Sequence, residues 1–403
     1  MITTKNNEHK KLNVPNLRFP EFLGEWEKQK LCDVSSIVGR IGFRGYTTND
    51  IVEKGMGAIA LSPTNIVNNQ LTYDKENTYI SMSKYEESPE IMIKRGDVIF
   101  VKTGSTVGKV AYVDKMICKT TLNPQVVVLK DIKCDNYILS VIMSTRNFQN
   151  KIQRITVGGA VPTLSQVAMG NIFISLPAAK EQEKISKFIS LLDERITTQN
   201  KIIEDLKKLK CAIIEKLYAE VKGTKYFYRQ LFNIINERNK QLEYSNVLSA
   251  SQEKGMVSRD DLNLDIQFER SNINTYKIVR NGDYVIHLRS FQGGFAFSEK
   301  TGVCSPAYTI LRPNGLLVYG YLSNYFTSRD FVKSLIIVTY GIRDGRSINV
   351  DEWLNMKVII PSKEQQTHIV NVIESIENKI KNEETYLNCL TNQKQYLLRQ
   401  MFI

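Results

Sequence analysis

Two stretches of this chain, residues 177–221 and 361–402, carry apolar seams that are longer and more regular than an ordinary globular helix requires. In the first, positions 185, 189, 192, 196, 199, 203, 206, 210, 213 and 217 alternate steps of four and three, and eight of the ten are Ile or Leu. That is the period of a coiled-coil seam. At about 1.5 Å per residue, each helix would run roughly 60–65 Å. The second stretch is the first again at an offset of 184, placing Pro177 on Pro361, Gln182 on Gln366, Ile185 on Ile369, Ile189 on Ile373, Ile196 on Ile380 and Leu206 on Leu390. Such an internal repeat constrains the whole architecture, because whatever precedes the first helix should have a counterpart before the second.

The counterpart is present. Gly96-Asp97 falls on Gly282-Asp283, Gly108 on Gly294 and Cys118 on Cys304 at an offset of 186, and Leu61-Ser62 is answered by Leu248-Ser249. Residues 136–153 and 320–338 are both helical in pattern, with Arg146 and Phe148 matched by Arg329 and Phe331. Each is followed by a glycine-bearing loop, VGGAVPTLS or YGIRDGRSIN, and a short strand, NIFISLP or NMKVIIP. The predicted order is a disordered tail (1–16), a first domain (17–176), a central helix (177–222), a second domain (223–360) and a C-terminal helix (361–403). Apolar frame positions and turn glycines are shared while the loops differ, as expected if each copy meets a different target.

A chain of 403 residues suggests two or three domains. Its longest apolar runs fall far short of the roughly 20 residues that a membrane span requires, and the polar opening MITTKNNEHKKLN has no secretory pattern. The six cysteines are scattered without a CxxC, which indicates neither a zinc site nor a disulfide framework. The expectation is a reduced, cytoplasmic protein. Of the net charge of +12, residues 1–177 supply 22 basic against 16 acidic side chains and residues 223–360 supply 17 against 13. The excess therefore lies in the domains, the direction expected for contact with a polyanion.

No catalytic motif survives inspection. Gly104-Ser105-Thr106-Val107-Gly108-Lys109-Val110 has three residues between its glycines and a valine after the lysine, whereas a phosphate loop needs four and a Ser or Thr. Neither Asn123-Pro124-Gln125 nor Ser305-Pro306-Ala307-Tyr308 is the Asn/Asp-Pro-Pro-Tyr/Phe motif of an amino-methyltransferase. Of the three histidines only His287 lies in a domain, and its setting suits a packed strand residue. What remains is polar and basic side chains on loops: Arg40, Arg44, Lys102, Thr103, Ser105, Lys109, Thr163 and Ser165 in the first copy, and Arg289, Ser290, Gln292, Tyr340, Arg343 and Arg346 in the second. Arg, Gln and Ser can satisfy base edges, and Lys and Thr can anchor phosphates. No cofactor or metal is expected.

Leu17-Arg18-Phe19-Pro20-Glu21-Phe22, Gly24-Glu25-Trp26, and the repeated helix entry Pro177, Glu181-Gln182, Ile185, Leu192-Asp193 and Ile196 resemble the specificity subunit of type I restriction-modification systems. The second copy departs with Gln365-Gln366 and with Glu377 in place of the aspartate. The resemblance implies an α+β chain: two similar mixed α/β target-recognition domains separated by a long antiparallel two-helix coiled coil, with pseudo-twofold symmetry. It further implies that each domain reads one half of a bipartite DNA sequence, and that two modification subunits and the restriction subunits carry the chemistry. A DNA methyltransferase with a diverged cofactor motif and a coiled-coil scaffold without a DNA role are the alternatives.

Two expectations concern the helices. Gln199, Lys210, Glu383 and Lys394 interrupt the seams, and buried polar groups on a seam commonly fix register. An antiparallel pairing that sets Gln199 against Lys394 also sets Lys210 against Glu383. A second apolar stripe, Phe188, Ile202, Leu209, Tyr218, Val372 and Tyr386, exceeds what a two-helix seam can bury. Part of it should pack on the adjoining domains and part should receive the modification subunits.

Overall fold

The computed structural model describes residues 12–73, 76–251, 254–259, 270–287, 294–340 and 347–403. The chain divides into two compact units, one of residues 1–198 with 387–403 and the other of residues 199–386. Among the described residues no helix is long and apolar enough to cross a membrane.

In the first unit a six-stranded sheet runs in the order Ser36–Gly39, Val126–Lys130, Val98–Val101, Val110–Tyr112, Gln70–Leu71, Ile66–Val67. Its central strands, VIFV and VVVLK, are apolar without alternation because both of their faces are covered. Val98, Phe100, Val127 and Leu129 face a core shared with the helices Asn136–Ser144 and Arg146–Ile155. Ile99, Val101, Val126 and Val128 face Ile59, Leu61 and Ile91 on the other side. A four-stranded sheet in the order Thr120–Leu122, Ala58–Leu61, Thr78–Ile80, Ile51–Val52 and the pair Glu27–Lys30 with Phe173–Leu176 complete the unit.

The second unit keeps the central frame. Its four-stranded sheet runs Phe232–Ile235, Thr309–Pro313, Tyr284–Ile286, Phe295–Phe297, and Thr224–Phe227 pairs with Lys357–Ile360. The core is aromatic: Trp353 stacks on Tyr228 at a centroid separation of 4.2 Å, with Phe295, Phe326 and Phe331 packed around them. The repeated Gly-Asp is one turn built twice. Gly96 and Gly282 both adopt φ +92°, in the left-handed region open to glycine. Asp97 accepts from the amide of Lys94 at 2.8 Å and Asp283 from that of Arg280 at 2.8 Å. Lys130 neutralises the first aspartate and Arg312 the second.

Two helices of 41 and 39 residues, Ala179–Ala219 and Lys363–Met401, follow the domain frames. Each begins inside a core: Ile185 and Ile189 are buried in the first unit, and Ile369 and Ile373 in the second. The repeated glutamine explains how. Gln182 Nε2 donates to the Pro177 carbonyl and Gln182 Oε1 accepts from the amide of Asp135, both at 2.8 Å. Gln366 repeats this with the Pro361 and Leu316 carbonyls at 3.0 Å and the amide of Val318 at 2.8 Å. The Glu-to-Gln departure also has a cause. Glu181 is fully buried and grips Arg18 of the N-terminal arm through two 2.7 Å hydrogen bonds, and no such arm precedes the second copy.

The seam partners differ from those expected. Gln199 bonds the carboxylate and carbonyl of Glu383, Lys210 pairs with Glu377 at 2.5 Å and Lys207 with Glu384 at 2.7 Å, all in the second unit, where the helices run antiparallel. In the first unit Lys394 pairs with Asp193, which also accepts from Tyr137 Oη at 2.6 Å. The expected pairs, Gln199 with Lys394 and Lys210 with Glu383, gave weight to seam positions alone. Lys210 with Glu377 and Asp193 with Lys394 each sum to 587, where the expected pairs sum to 593, so the antiparallel register is shifted from the expected one and the lysines meet carboxylates beside the seam. The two lysine pairs are equivalent under the 184-residue repeat, and Glu377 retains the carboxylate that Asp193 supplies.

Replacing Gln366 with alanine strands an amide N–H and two carbonyls at a buried helix entry. We expect a loss of about 1–3 kcal/mol, read as a lower denaturation midpoint for the second unit at unchanged slope. Gln182→Ala should do the same to the first.

Candidate nucleic-acid interface

In the first unit the loop between Val98–Val101 and Val110–Tyr112 holds Lys102, Thr103, Ser105 and Lys109. Its backbone is tied down throughout. The amides of Lys102 and Thr103 donate to the Gln125 carbonyl at 2.9 and 3.3 Å, and that of Gly108 to the Val101 carbonyl at 3.0 Å. Gln149, on the helix behind, donates to the Gly108 carbonyl at 2.8 Å. Gly108 has φ +99°, and a Cβ there would lie 2.3 Å from Gln149 Oε1, so this close approach requires glycine.

The glycine-bearing loop before Thr163 joins the first. Val157 and Thr163 exchange amide hydrogen bonds of 3.0 and 2.8 Å, while Gly104 donates to the Pro162 carbonyl at 2.9 Å and Leu164 to that of Lys102 at 2.8 Å. Two groups of residues far apart in sequence, 102–109 and 163–165, thus form one platform. Asn68 and Asn69, with φ of 51° and 62°, turn the hairpin Ile66–Leu71 and line a cleft of about 330 Å³ together with Lys109. Sequence reasoning missed this pair, although an Asn-Asn dipeptide between short apolar runs is a turn signal.

The electrostatics of the platform are one-signed. Segments 98–113 and 136–180 contain no Asp or Glu, while they hold Lys102, Lys109, Arg146, Lys151 and Arg154. Lys109 is exposed and Lys102 half-buried. Within these segments no carboxylate offsets the attraction of the cations for phosphate.

Not every expected residue belongs to it. Arg40 is buried, with its guanidinium donating to the carbonyls of Leu122 (2.8 Å) and Arg44 (3.1 Å) and to Thr121 Oγ1 (3.1 Å), and lying over the Tyr46 ring. Burial lowers its pKa from the usual arginine value. It holds a loop together and is not a DNA contact. Arg44 donates to the Glu87 carbonyl at 3.2 Å and lies 3.7 Å from Glu90. The Ser165 hydroxyl caps the helix Gln166–Gly170 by accepting from Ala168 N. Tyr218 is likewise committed: it donates to the Tyr321 carbonyl and packs against Tyr321 and Tyr325, so this member of the second stripe belongs to a domain core. Phe188 meets Phe19 edge-on at 6.0 Å while staying 39% exposed. Ile202, Leu209 and Tyr386 are exposed and Val372 half-buried.

The second unit builds the same supports. The amide of His287 donates to the Gly294 carbonyl at 2.8 Å, closing the equivalent hairpin, and Thr339–Tyr340 pairs with Ser347–Ile348 where the first unit has the Val157 bridge. Arg289, Ser290, Gln292, Arg343, Arg346 and the side chain of Tyr340 lie outside the described residues. Burial lowers the pKa of His287 and keeps it neutral, and it rests near the Tyr308 ring. Burial pushes the Cys304 thiol up to about 12 and that of Cys134 up to about 11, away from nucleophilic character. Among the described residues no group of His, Cys, Asp or Glu is placed to hold a metal ion.

Residues 24–208 match the model of the family described as Type I restriction modification DNA specificity domain. A curated relative, the type I restriction enzyme MjaVIII specificity subunit of Methanocaldococcus jannaschii, is 29% identical over 131 residues, 32% of this chain and 30% of that protein. The match spans less than a third of that relative's length. Among solved structures, the S subunit of a type I restriction-modification system from M. genitalium superposes with a TM-score of 0.53 at 13% identity, covering 97% of this chain and 99% of its own. A chain from a study of complex assembly and conformational transition in the type I R-M system gives 0.57 at 15% identity, over 94% and 97%. The fold is thus the mixed α/β fold of these solved structures. Residues 24–208, just under half of the chain, are thus similar to the Type I restriction modification DNA specificity domain.

Arg40→Ala should act on folding, lowering the thermal midpoint of the first unit, because it strands the Leu122 carbonyl and the loop at residue 44. Lys109→Ala should leave that midpoint in place and reduce the salt dependence of DNA binding by about one counterion. Matched stability losses in the two variants would contradict this division.

Proposed function

We propose that the chain is the sequence-specific DNA-recognition subunit of a type I restriction-modification complex. Residues 17–176 and 223–360 are two target-recognition domains, carried by an antiparallel pair of spacer helices at 177–222 and 361–403. Each domain reads one half of a bipartite sequence. The subunit itself has no catalytic role, and it positions two modification subunits and the restriction subunits in the cytoplasm. The observation that supports this reading is the platform of the first unit, a hairpin loop bonded to a bridged glycine loop in segments without acidic residues, with a hairpin closure and a strand pair at the matching places of the second unit. A scaffold has no need of it.

Lys102, Thr103, Ser105, Lys109 and Thr163 face the first half-site in this reading, with Arg44 at the margin, and Arg289, Ser290, Gln292, Tyr340, Arg343 and Arg346 face the second. The exposed stripe residues Phe188, Ile202, Leu209 and Tyr386, with the half-buried Val372, receive the modification subunits.

Sequencing genomic DNA for methylated adenines with and without the gene tests the proposal. A split motif with unspecified central bases, lost on deletion, is expected, and an unchanged methylation pattern would sink it. Purified alone with labelled S-adenosylmethionine and DNA, the chain should transfer no methyl group. Ile202→Glu with Tyr386→Glu should weaken assembly with the modification subunits at least tenfold while leaving the melting temperature within a few degrees. Undiminished co-purification would remove the assigned surface.

A further inference from the structure

The glycine loop of the first unit projects two apolar side chains that no part of its own unit covers. Val157 is 75% exposed and Val161 60% exposed. Between them stand Gly158, Gly159 and Ala160, so nothing bulky shields either valine. Gly158 has φ +104°, and a Cβ there would come within 2.7 Å of the Val161 carbonyl oxygen, so the tight course of the loop depends on glycine. The bridge between Val157 and Thr163, the bond from Gly104 to Pro162 and that from Leu164 to Lys102 hold the loop from both flanks. An apolar tip has therefore been fixed in place rather than folded inward.

Its surroundings say what it meets. The tip rises from the platform that carries Lys102 and Lys109, in segments without a single carboxylate. The two lysines suit a polyanion, and duplex DNA offers phosphates to them and one apolar group to the tip. In the major groove that group is the 5-methyl of thymine, which distinguishes an A·T pair from the others. Minor-groove wedges use Phe, Leu, Ile, Met or Pro to part base steps. Two short β-branched side chains on a narrow loop suit contact with methyl groups better than intercalation.

We propose that Val157 and Val161 are specificity-determining residues that recognise thymine through its 5-methyl group in the half-site read by the first domain. The inference rests on the DNA-recognition reading and assigns within it a contact that no polar side chain of the platform supplies. Because the loop is already pinned, little conformational entropy is lost on contact, and the methyl contact is retained as discrimination.

The test uses the full chain and a randomised duplex pool, followed by the enriched sequence with each thymine of the first half-site replaced singly by deoxyuridine, which removes the methyl and nothing else. At one or more positions the wild-type chain should bind about three- to fivefold more weakly, the scale of one buried methyl group. Val157→Asn with Val161→Asn, which puts polar groups at both exposed apolar positions, should bind thymine and uracil duplexes equally with an unchanged melting temperature. A first half-site without thymine, or an enriched site at which uracil is tolerated by the wild type, overturns this inference and leaves DNA recognition standing. Enrichment of no sequence overturns both.

Discussion

A single buried glutamine in each copy joins helix to domain, and the remainder of the architecture depends on it. Gln182 and Gln366 sit where backbone groups at a helix entry would otherwise be buried without partners. Each uses both ends of its amide, donating to the carbonyl of the proline that ends the preceding strand and accepting from an amide of a neighbouring segment. Glutamate would repel those carbonyls, and a shorter amide would not span the gap. With the entry fixed, the following isoleucines enter the domain core, so that a helix of about forty residues starts as an extension of a domain and not as a flexible arm.

The frame beneath the loops is equally rigid, and for a different reason. Strands buried on both faces cannot slide without moving every side chain into the wrong core. The Gly-Asp turn anchors one end of that frame in each unit, with the aspartate held by a cation from the strand opposite. Lys130 serves in one copy and Arg312 in the other, so the charge has been kept while the residue drifted. Loops on such a frame can diverge freely. The first copy presents Lys102-Thr103-Gly104-Ser105 between its hairpin strands, and the second presents the stretch after His287. Shared supports with unlike loops are the physical arrangement by which one fold can serve two different sequences.

How much of this was legible in the sequence follows from the range of the interactions. The Gly-Asp turns, the repeated strands and the long helices are set by local pattern, and they lie where the periodicity placed them. The joining of residues 102–109 to residue 163 was not legible, because both lie on loops and only the tertiary bridge brings them together. Arg40 shows the converse limit. A loop arginine flanked by glycine reads as a contact residue, yet three acceptors supplied by residues 121, 122 and 44 absorb it. The seam misled for a third reason: Asp193 and Glu377 lie beside it, and they pair with the lysines in a register that the seam residues alone did not specify.

The charge of the molecule gains its meaning from the same distinction between sum and place. A net +12 spread over 403 residues is modest, and many proteins with no polyanionic partner carry as much. What separates this surface is that one continuous stretch from 136 to 180, and the hairpin loop bonded to it, contain cations and no carboxylate at all. Within about a Debye length, near 8 Å at physiological salt, those cations attract a phosphate, and no carboxylate of the same segments opposes them. Phosphate attraction of this kind is indifferent to sequence, so discrimination must come from groups that touch bases, and on this platform the side chains presented without internal partners are short and few. In the proposed reading a pinned, narrow loop beside basic segments meets both requirements, the cations drawing the duplex close and the loop entering its groove.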